Sequence, residues 1–325
     1  MKTSLEKTLP AQFLGQLLVA TDGSDGGERA VSFAIALARC YGSQLEFCFA
    51  VNHAAVVAEC CTPEGASGEA IVALEKDLDN AAAAVLAKAR DEAKFAGIVA
   101  TIGLLDGPSV DAIVDCEREH RFDAVVLGTE GKHGLKRLFL GSTADGVLRR
   151  TDVPAFIVPP GATGVPTFER ILVAVDDSDP SDAAIEFALT FAAEDKASIV
   201  FCAVADTDGW LGTPASHNYD PTPMRNELAA GAAALLVAPA QRARKAGITF
   251  EQVVALGDPA SELLKQAATH GAELIVMGTH GRRGLRRWFV GSVAENIVSS
   301  SKVPVVVMRR ASSDRTRHKK NGQST

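Results

Sequence analysis

The chain of 325 residues carries one series of motifs twice, about 150 residues apart. LLVATDGSD at 17–25 corresponds to ILVAVDDSD at 171–179, and GTEGKHGLKRLFLGS at 128–142 corresponds to GTHGRRGLRRWFVGS at 278–292. Three further pairs keep their order along both copies: FCFAV and FCAVA, DAVVLGT and AELIVMGT, VPAFIVP and VPVVVMR. A repeat of this length indicates a duplicated domain rather than a short-period solenoid.

Each copy alternates strand-like and helix-like segments. The strand segments are apolar along their whole length, which predicts an α/β domain with a parallel sheet covered by helices on both faces. We place domain 1 at 14–160, a linker at 161–166, domain 2 at 167–310, and tails at 1–13 and 311–325, the last of them disordered. Copy one is predicted to have strands at 17–20, 45–51, 98–105, 123–128 and 154–158, a loop after the second strand, and helices at 26–41, 69–96, 109–120 and 142–150.

Composition narrows the class of protein. Hydrophobic residues make up 47% of the chain and charged residues 22%, as in ordinary soluble proteins. The net charge of −7 argues against a nucleic-acid partner. The start lacks the apolar core and cleavage site of a secretory signal, and no apolar run has the length of a membrane span. We therefore expect a cytoplasmic protein without a membrane partner.

The six cysteines show no CxxC spacing. Cys48 and Cys202 lie in apolar strand segments, which predicts that their thiols are buried in the core. Cys60 and Cys61 are adjacent in a predicted loop, where a metal site competes with ordinary thiols as an interpretation. Because adjacent cysteines bridge one metal ion poorly, ordinary thiols are favoured.

Two features of each copy follow strand ends, where parallel sheets bind ligands. The first is an aspartate after the first strand, Asp22 or Asp176. The second is a loop of spacing G-x2-G-x9-G-S after the fourth strand: Gly128, Gly131, Gly141 and Ser142 in copy one, and Gly278, Gly281, Gly291 and Ser292 in copy two.

The loop has the chemistry of a phosphate site. Glycine lets the backbone approach a ligand closely, and the final Gly-Ser precedes a helix whose free N–H groups favour an anion. Ser142 and Ser292 are also good N-cap residues, which is the structural alternative for them. GxxxxGK[ST], a GxGxxG after the first strand and GxSxG are all absent from the sequence, so the common nucleotide and hydrolase motifs do not apply.

The chain resembles a tandem universal stress protein over nearly its whole length. VDDSD and MGTHGRRGLRRWFVGSVAENIVSSSKVPVVVM carry the resemblance most specifically. It implies two Rossmann-like domains, of the adenine nucleotide alpha hydrolase-like kind, each with a five-stranded parallel sheet. It also implies a site for ATP, AMP or ADP, with Mg²⁺ able to bridge the phosphates.

The resemblance also assigns residues to the nucleotide. In copy two Asp176 would contact the adenine and ribose end and Val204 the adenine. The ribose and phosphates would be lined by Gly278, His280, Gly281, Arg282, Gly291, Ser292 and Val293. The matching positions of copy one are Asp22, Val51, Gly128, Glu130, Gly131, Lys132, Gly141, Ser142 and Thr143. Because the carboxylate of Glu130 repels phosphate where copy two has His280, we expect copy two to bind more tightly.

The expected function is that of an adenine-nucleotide-binding regulator of the stress response, with at most slow ATPase or autophosphorylation activity. The alternative is a non-catalytic interaction module in which one or both sites stay empty. In this family the last strand often pairs across a dimer interface. The resemblance therefore implies an intramolecular pseudo-dimer through VPAFIVP and VPVVVM, or a homodimer of such units.

Overall fold

The structure is a computed structural model that describes residues 13–60, 67–129, 140–162, 168–207, 222–279 and 291–309. Its strands are β1 Gln16–Ala20, β2 Gln44–Val51, β3 Ala100–Asp106, β4 Ala124–Gly128, β5 Ala155–Val158, β6 Arg170–Ala174, β7 Ser198–Ala205, β8 Phe250–Leu256, β9 Leu274–Gly278 and β10 Val305–Met308. Its helices are α1 Asp25–Tyr41, α2 His53–Cys60, α3 Gly68–Phe95, α4 Ser109–His120, α5 Ser142–Arg150, α6 Asp179–Asp195, α7 Thr222–Leu235, α8 Val237–Lys245, α9 Pro259–Thr269 and α10 Ser292–Ser300. Most of the predicted linker and the C-terminal tail lie outside these residues.

The predicted elements of copy one are present, with one correction. Helix α2 occupies the segment predicted as a loop, and the Asn52 carbonyl side chain accepts a hydrogen bond from the N–H of Ala55 at its start. An Asn side chain in this position is a helix N-cap signal. Near the start of the chain, the N-terminal tail is predicted to include Phe13. The ring of Phe13, however, lies 5.1 Å from that of Phe187.

The sheet confirms the predicted α/β class. The strand order is β3-β2-β1-β4-β5-β10-β9-β6-β7-β8, and strands within each domain are parallel. In domain 1 the order reverses beside β1, and in domain 2 it reverses beside β6. Each domain therefore has a switch point between the first and fourth of its strands, where this kind of sheet opens a crevice.

Side chains of one strand alternate between two buried layers. Leu17 and Val19 of β1 pack in the layer that contains α1 and α3, whereas Leu18 packs with α4 and α5 in the other. All three residues are fully buried. Coverage on both faces explains why the strands are uninterrupted apolar runs.

The two domains share one sheet through an antiparallel pair. Val306 of β10 lies opposite Phe156 of β5, Val305 opposite Ile157, and Val307 opposite Ala155. Each is the last strand of its domain, so the pair joins two five-stranded halves into a ten-stranded sheet. The pairing also covers two edges that would otherwise offer unpaired backbone groups.

Aromatic rings from both domains pack beside this strand pair. Phe156 of β5 lies 6.1 Å from Phe187 of α6, and Phe168 lies 6.4 Å from Phe33 of α1. Rings at such distances add attraction beyond the apolar area that they bury. We therefore attribute much of the contact between the domains to this cluster.

One half-buried polar pair crosses the same contact. The hydroxyl of Tyr41, the last residue of α1, donates to the carboxylate of Asp195, the last residue of α6. Burial raises the pKa of Asp195, while the hydrogen bond from Tyr41 opposes that rise. The two helix ends are therefore held together by one specific bond.

Domain 2 breaks the long helix of domain 1 into two. Helix α3 runs unbroken for 28 residues, whereas α7 and α8 are separated at Leu236. Pro239 causes the break, because it has no N–H to donate to the carbonyl four residues earlier. At the break, the carbonyl of Leu236 accepts both from the Gln252 side-chain amide at 3.0 Å and from the N–H of Ala240 at 3.1 Å.

The first glycine of each loop motif is required by packing. A Cβ at Gly128 would lie 2.3 Å from the carbonyl oxygen of Gly26, and a Cβ at Gly278 would lie 2.8 Å from the ring of Pro180. Both neighbours belong to the first turn of the helix that covers the strand end, α1 or α6. These two glycines let a helix approach the end of a strand, whatever else they do.

We predict that Gly128→Ala lowers the free energy of unfolding by about 2–3 kcal/mol, because backbone must move to admit the methyl group. Gly278→Ala should cost less, since its closest approach is 2.8 Å rather than 2.3 Å. The matched control is Gly231→Ala in helix α7, where a Cβ meets nothing within 4 Å. That variant should gain about 0.5–1 kcal/mol. Urea unfolding measures all three, and equal stability of Gly128→Ala and the wild type would refute the packing argument.

Candidate functional site

A cavity of about 900 Å³ opens at the carboxyl ends of β6, β7 and β9. It lies at the switch point of domain 2 and is closed on one side by α7 and on another by the start of α10. Among the residues that line it are Asp176, Val204, Asp206, Glu227, Leu228, Gly231, Asp258, Met277, Gly278, Gly291, Ser292, Val293 and Ala294. Its volume is in the range of pockets for small-molecule ligands.

Six of the sequence-predicted residues of copy two share this cavity: Asp176, Val204, Gly278, Gly291, Ser292 and Val293. They come from two strand ends, the turn after β6 and the first turn of α10. Three others, His280, Gly281 and Arg282, lie outside the described residues. The same holds for Glu130, Gly131 and Lys132 of copy one.

The turn at Asp176 is held by local hydrogen bonds. Asp176 Oδ1 accepts from the N–H of Ser178 at 2.8 Å, and the Asp176 N–H donates to Ser181 Oγ at 3.0 Å. Ser178 in turn caps α6 by accepting from the N–H of Ser181. The sequence DDSD thus forms a rigid turn that presents a half-buried carboxylate to the cavity.

The structure places both motif serines at helix N-termini, as expected, but not as N-cap residues. Ser142 and Ser292 are the first residues of α5 and α10, and the N-cap residues are Gly141 and Gly291, which make no side-chain cap bond. The structural alternative for these serines, a role as N-cap residues, is therefore wrong. The glycine N–H groups instead donate to the carbonyls of Thr129 and Thr279, at 2.8 and 2.9 Å.

A glycine cap leaves the first turn of α10 open to a ligand. Helices α1, α6 and α9 have cap side chains, from Ser24, Ser178 and Asp258, that accept from the first-turn N–H groups. At α10 no side chain takes that place, and Ser292, Val293 and Ala294 line the cavity. The first N–H groups of an α-helix have no acceptor inside the helix, so this end of the cavity attracts anions.

Domain 1 repeats much of this geometry, with one shift. Cys48 lies opposite Ala20 and Cys202 opposite Ala174, so the residue that matches Val204 is Ala50. The assignment of Val51 to that position is one residue off, because Val51 matches Ala205. Ala50 and Val204 are both half-buried, in keeping with this register.

In each domain a side-chain hydroxyl accepts a hydrogen bond from the backbone of the turn after the first strand, but a different residue supplies that hydroxyl. In domain 2 the side chain of Ser181 accepts from the turn backbone. In domain 1 the matching residue is Gly27, and Thr21 Oγ1 accepts from the N–H of Gly23 at 3.2 Å. A Cβ at Gly27 would lie 2.6 Å from that hydroxyl, so the two arrangements exclude each other.

Sequence reasoning missed three acidic residues of the cavity wall. Asp206 follows β7, Asp258 follows β8, and Glu227 lies on α7. Asp206 and Asp258 follow strand ends, so the rule that selected Asp176 could have found them. Glu227 had no such signal, because only the packing of α7 brings it to the cavity.

A histidine bridge holds the corresponding edge of domain 1. His53, the first residue of α2, has Nδ1 2.8 Å from Asp106 at the end of β3 and Nε2 2.9 Å from Asp79 on α3. The hydrogen bond to Asp106 raises the pKa of His53, and Asp79 adds to the rise. The same bond lowers the pKa of Asp106. The bridge fastens α2 and α3 to the sheet edge.

This bridge should make stability depend on pH. The raised pKa of His53 gives stabilisation that is lost as pH rises through the folded value, and the lowered pKa of Asp106 gives stabilisation that is lost at low pH. With unfolded values of about 6.5 and 3.9, the difference between wild type and His53→Gln should be greatest near pH 5.5. Urea midpoints at pH about 5.5 and about 8.5 test this, with His53→Gln/Asp106→Asn as the control for the pair. A difference that is equal at both pH values would contradict the bridge.

Comparison with known proteins places the chain in a family. The model of the Universal stress protein family matches residues 15–159 and again 167–309. The chain therefore belongs to the universal stress protein family and contains two copies of its domain. Among the described residues, none of the helices combines the length and apolar character needed to span a membrane.

Individual relatives agree with this assignment. Universal stress protein YxiE of Bacillus subtilis is 31% identical over 147 residues, which are 44% of this chain and 99% of that protein. Universal stress protein Mb2019 of Mycobacterium bovis is 29% identical over 223 residues, 67% of this chain and 68% of its own length. The crystal structure of a universal stress protein from Archaeoglobus fulgidus shares the fold, with a TM-score of 0.63, 21% identity and coverage of 91% of this chain and 98% of that one.

Proposed function

We propose that the chain is a stress-response regulator that binds an adenine nucleotide, ATP or its hydrolysis products, in the cavity of domain 2. One observation carries the proposal: the cavity of about 900 Å³ has an uncapped helix N-terminus at one end and the fixed carboxylate of Asp176 in its wall. An open helix N-terminus suits a phosphate, and a carboxylate can accept from ribose hydroxyls.

The walls between these ends suit a purine. Val204, Leu228, Leu235 and Leu263 line the cavity, together with Met277. Apolar side chains with a few fixed polar groups are the usual lining of a small-molecule site. The nucleoside would lie against these side chains, with its phosphates at Gly291, Ser292 and Val293.

The acidic residues of the cavity wall favour a nucleotide that carries a metal ion. Asp206, Glu227 and Asp258 line the cavity with Asp176, and four carboxylates oppose a bare polyphosphate. Mg²⁺ accepts carboxylate and phosphate oxygens together, so these residues fit a nucleotide that carries the ion. We therefore propose the Mg²⁺ complex as the bound form, with at most slow hydrolysis or autophosphorylation.

The shared sheet supports a regulatory unit of two domains. Gly278 of the proposed site lies opposite Met308 of β10, and β10 pairs with β5 of domain 1. Each site is therefore one strand away from the strands that join the domains. We propose that the pair acts as an intramolecular pseudo-dimer in the cytoplasm, and that copy two binds the nucleotide more tightly.

We predict that Ser292→Asp lowers the affinity for Mg²⁺-ATP at least tenfold, because a carboxylate replaces the hydroxyl where the phosphates would lie. An acidic residue in the first turn favours the helix by about 0.3–1 kcal/mol, so the nucleotide-free variant should be at least as stable as the wild type. Isothermal titration gives the affinity and the number of sites, and thermal unfolding without ligand gives the stability.

The matched control is Ser142→Asp at the same position of domain 1. It should leave the tighter binding step unchanged and remove any second, weaker one. Unaltered ATP binding by Ser292→Asp would refute the proposed site. If millimolar ATP fails to raise the melting temperature of the wild type, the alternative holds, and the domains form an interaction module with empty sites.

A further inference from the structure

Three side chains of different chemistry meet in domain 1, away from the cavity of domain 2. Cys116 and His120 lie on α4, and Glu46 lies on β2. The Sγ atom of Cys116 is 3.6 Å from His120 Nδ1 and 3.9 Å from Glu46 Oε1, and the three ligand atoms lie within 4.8 Å of one another. We propose that Glu46, Cys116 and His120 bind a divalent transition-metal ion, for which Zn²⁺ is the best chemical match.

The distances fit tetrahedral coordination. With Zn–S near 2.3 Å and Zn–N near 2.0–2.1 Å, tetrahedral angles put sulfur and nitrogen about 3.5 Å apart. The observed separation of Cys116 Sγ and His120 Nδ1 is 3.6 Å. The Glu46 oxygen lies 3.9 Å from Sγ and within 4.8 Å of the His120 nitrogen, so it must move toward both atoms to complete the third vertex, which leaves the fourth for water.

The sequence places these ligands on facing surfaces. Cys116 and His120 are four residues apart, so they lie on one side of α4. Glu46 shares a face of β2 with Cys48, two residues on, and Cys48 and Cys116 belong to the same buried layer. Cys116 is buried, Glu46 is half-buried and His120 is exposed, so an ion could enter from solvent beside His120.

Glu46 is otherwise poorly explained at this position. Within the described part of the chain no Lys or Arg forms an ion pair with it, and the groups that donate hydrogen bonds to it are weak donors. They are the Thr101 hydroxyl at 3.4 Å and the Cys116 thiol at 3.9 Å. A carboxylate between a sheet and a helix is unusual without a strong partner, and a metal ion would be one.

Domain 2 shows what this region is like without the cluster. By strand register Val200 takes the place of Glu46, and Gln266 and His270 take the places of Cys116 and His120. His270 Nδ1 pairs instead with Glu251 Oε2 of β8 at 3.1 Å. The ligand set is thus specific to domain 1, while the histidine common to both domains supplies a matched control.

The ring of His120 is oriented for ligation by a neighbour. Phe122 packs against it edge to face, with ring centroids 6.1 Å apart and an interplanar angle of 87°. Glu46 is similarly steadied, because its second oxygen accepts from Thr101. Both neighbours limit the positions that the two side chains take.

The test uses the full-length protein, freed of metal with a chelator and kept free of nucleotide. Co²⁺ replaces Zn²⁺ as a probe, because a Co²⁺–thiolate bond absorbs in the near ultraviolet. We expect this absorption to saturate at one equivalent of Co²⁺ and to vanish when Zn²⁺ is added. Cys116→Ser should abolish it, and His120→Gln should weaken Co²⁺ binding at least tenfold while leaving the fold intact by circular dichroism.

Three controls should bind Co²⁺ like the wild type: Cys40→Ser at an exposed thiol, His270→Gln in domain 2, and Cys60→Ser/Cys61→Ser, which removes the adjacent pair. The proposal is overturned if the absorption survives in Cys116→Ser, if it is lost in Cys60→Ser/Cys61→Ser, or if the wild type shows none at stoichiometric Co²⁺. Because no nucleotide is present, either result leaves the nucleotide site of domain 2 to its own test.

Discussion

The antiparallel pairing of β5 with β10 is the interaction on which the rest of this molecule depends. It places Phe156 against Val306 at the centre of a ten-stranded sheet, and the aromatic rings of α1 and α6 pack around that point. Without it, each domain would expose a terminal strand whose side chains, apart from Met308, are fully buried here. A duplicated sequence thus becomes one structural unit because its two copies close each other's edge.

The glycine motif combines two physical requirements that a sequence cannot separate. Gly128 and Gly278 admit the first turn of a helix against a strand end, as the close approaches to Gly26 and Pro180 require. Gly141 and Gly291 instead cap a helix without a side chain and leave its N–H groups open. The first pair would be needed in a protein with no ligand at all. The second pair is the part of the motif that bears on binding.

The sequence predicted the architecture well because duplication and uninterrupted apolar strands are local patterns. It also selected Asp176, Gly291 and Ser292 correctly as neighbours, since strand ends of a parallel sheet meet at one edge. It failed where tertiary packing decides. Glu227 reaches the cavity through α7, and Glu46 meets Cys116 from 70 residues away. The match of Val51 to Val204 was wrong by one residue, as the strand register shows and as the alignment of FCFAV with FCAVA already indicates.

The antiparallel pairing of β5 with β10 determines the direction in which the strands of each domain point. All strands of one domain run parallel, and this pairing reverses their sense between the domains. The carboxyl ends of β1 and β4 therefore point in one direction along the strands, and those of β6 and β9 point in the opposite direction. A rigid partner with a single contact face can cover one of these pairs of ends while the other stays exposed. The carboxyl ends of the strands thus face opposite directions in the two domains. A partner that recognises one of them must approach the molecule from the side opposite to the other.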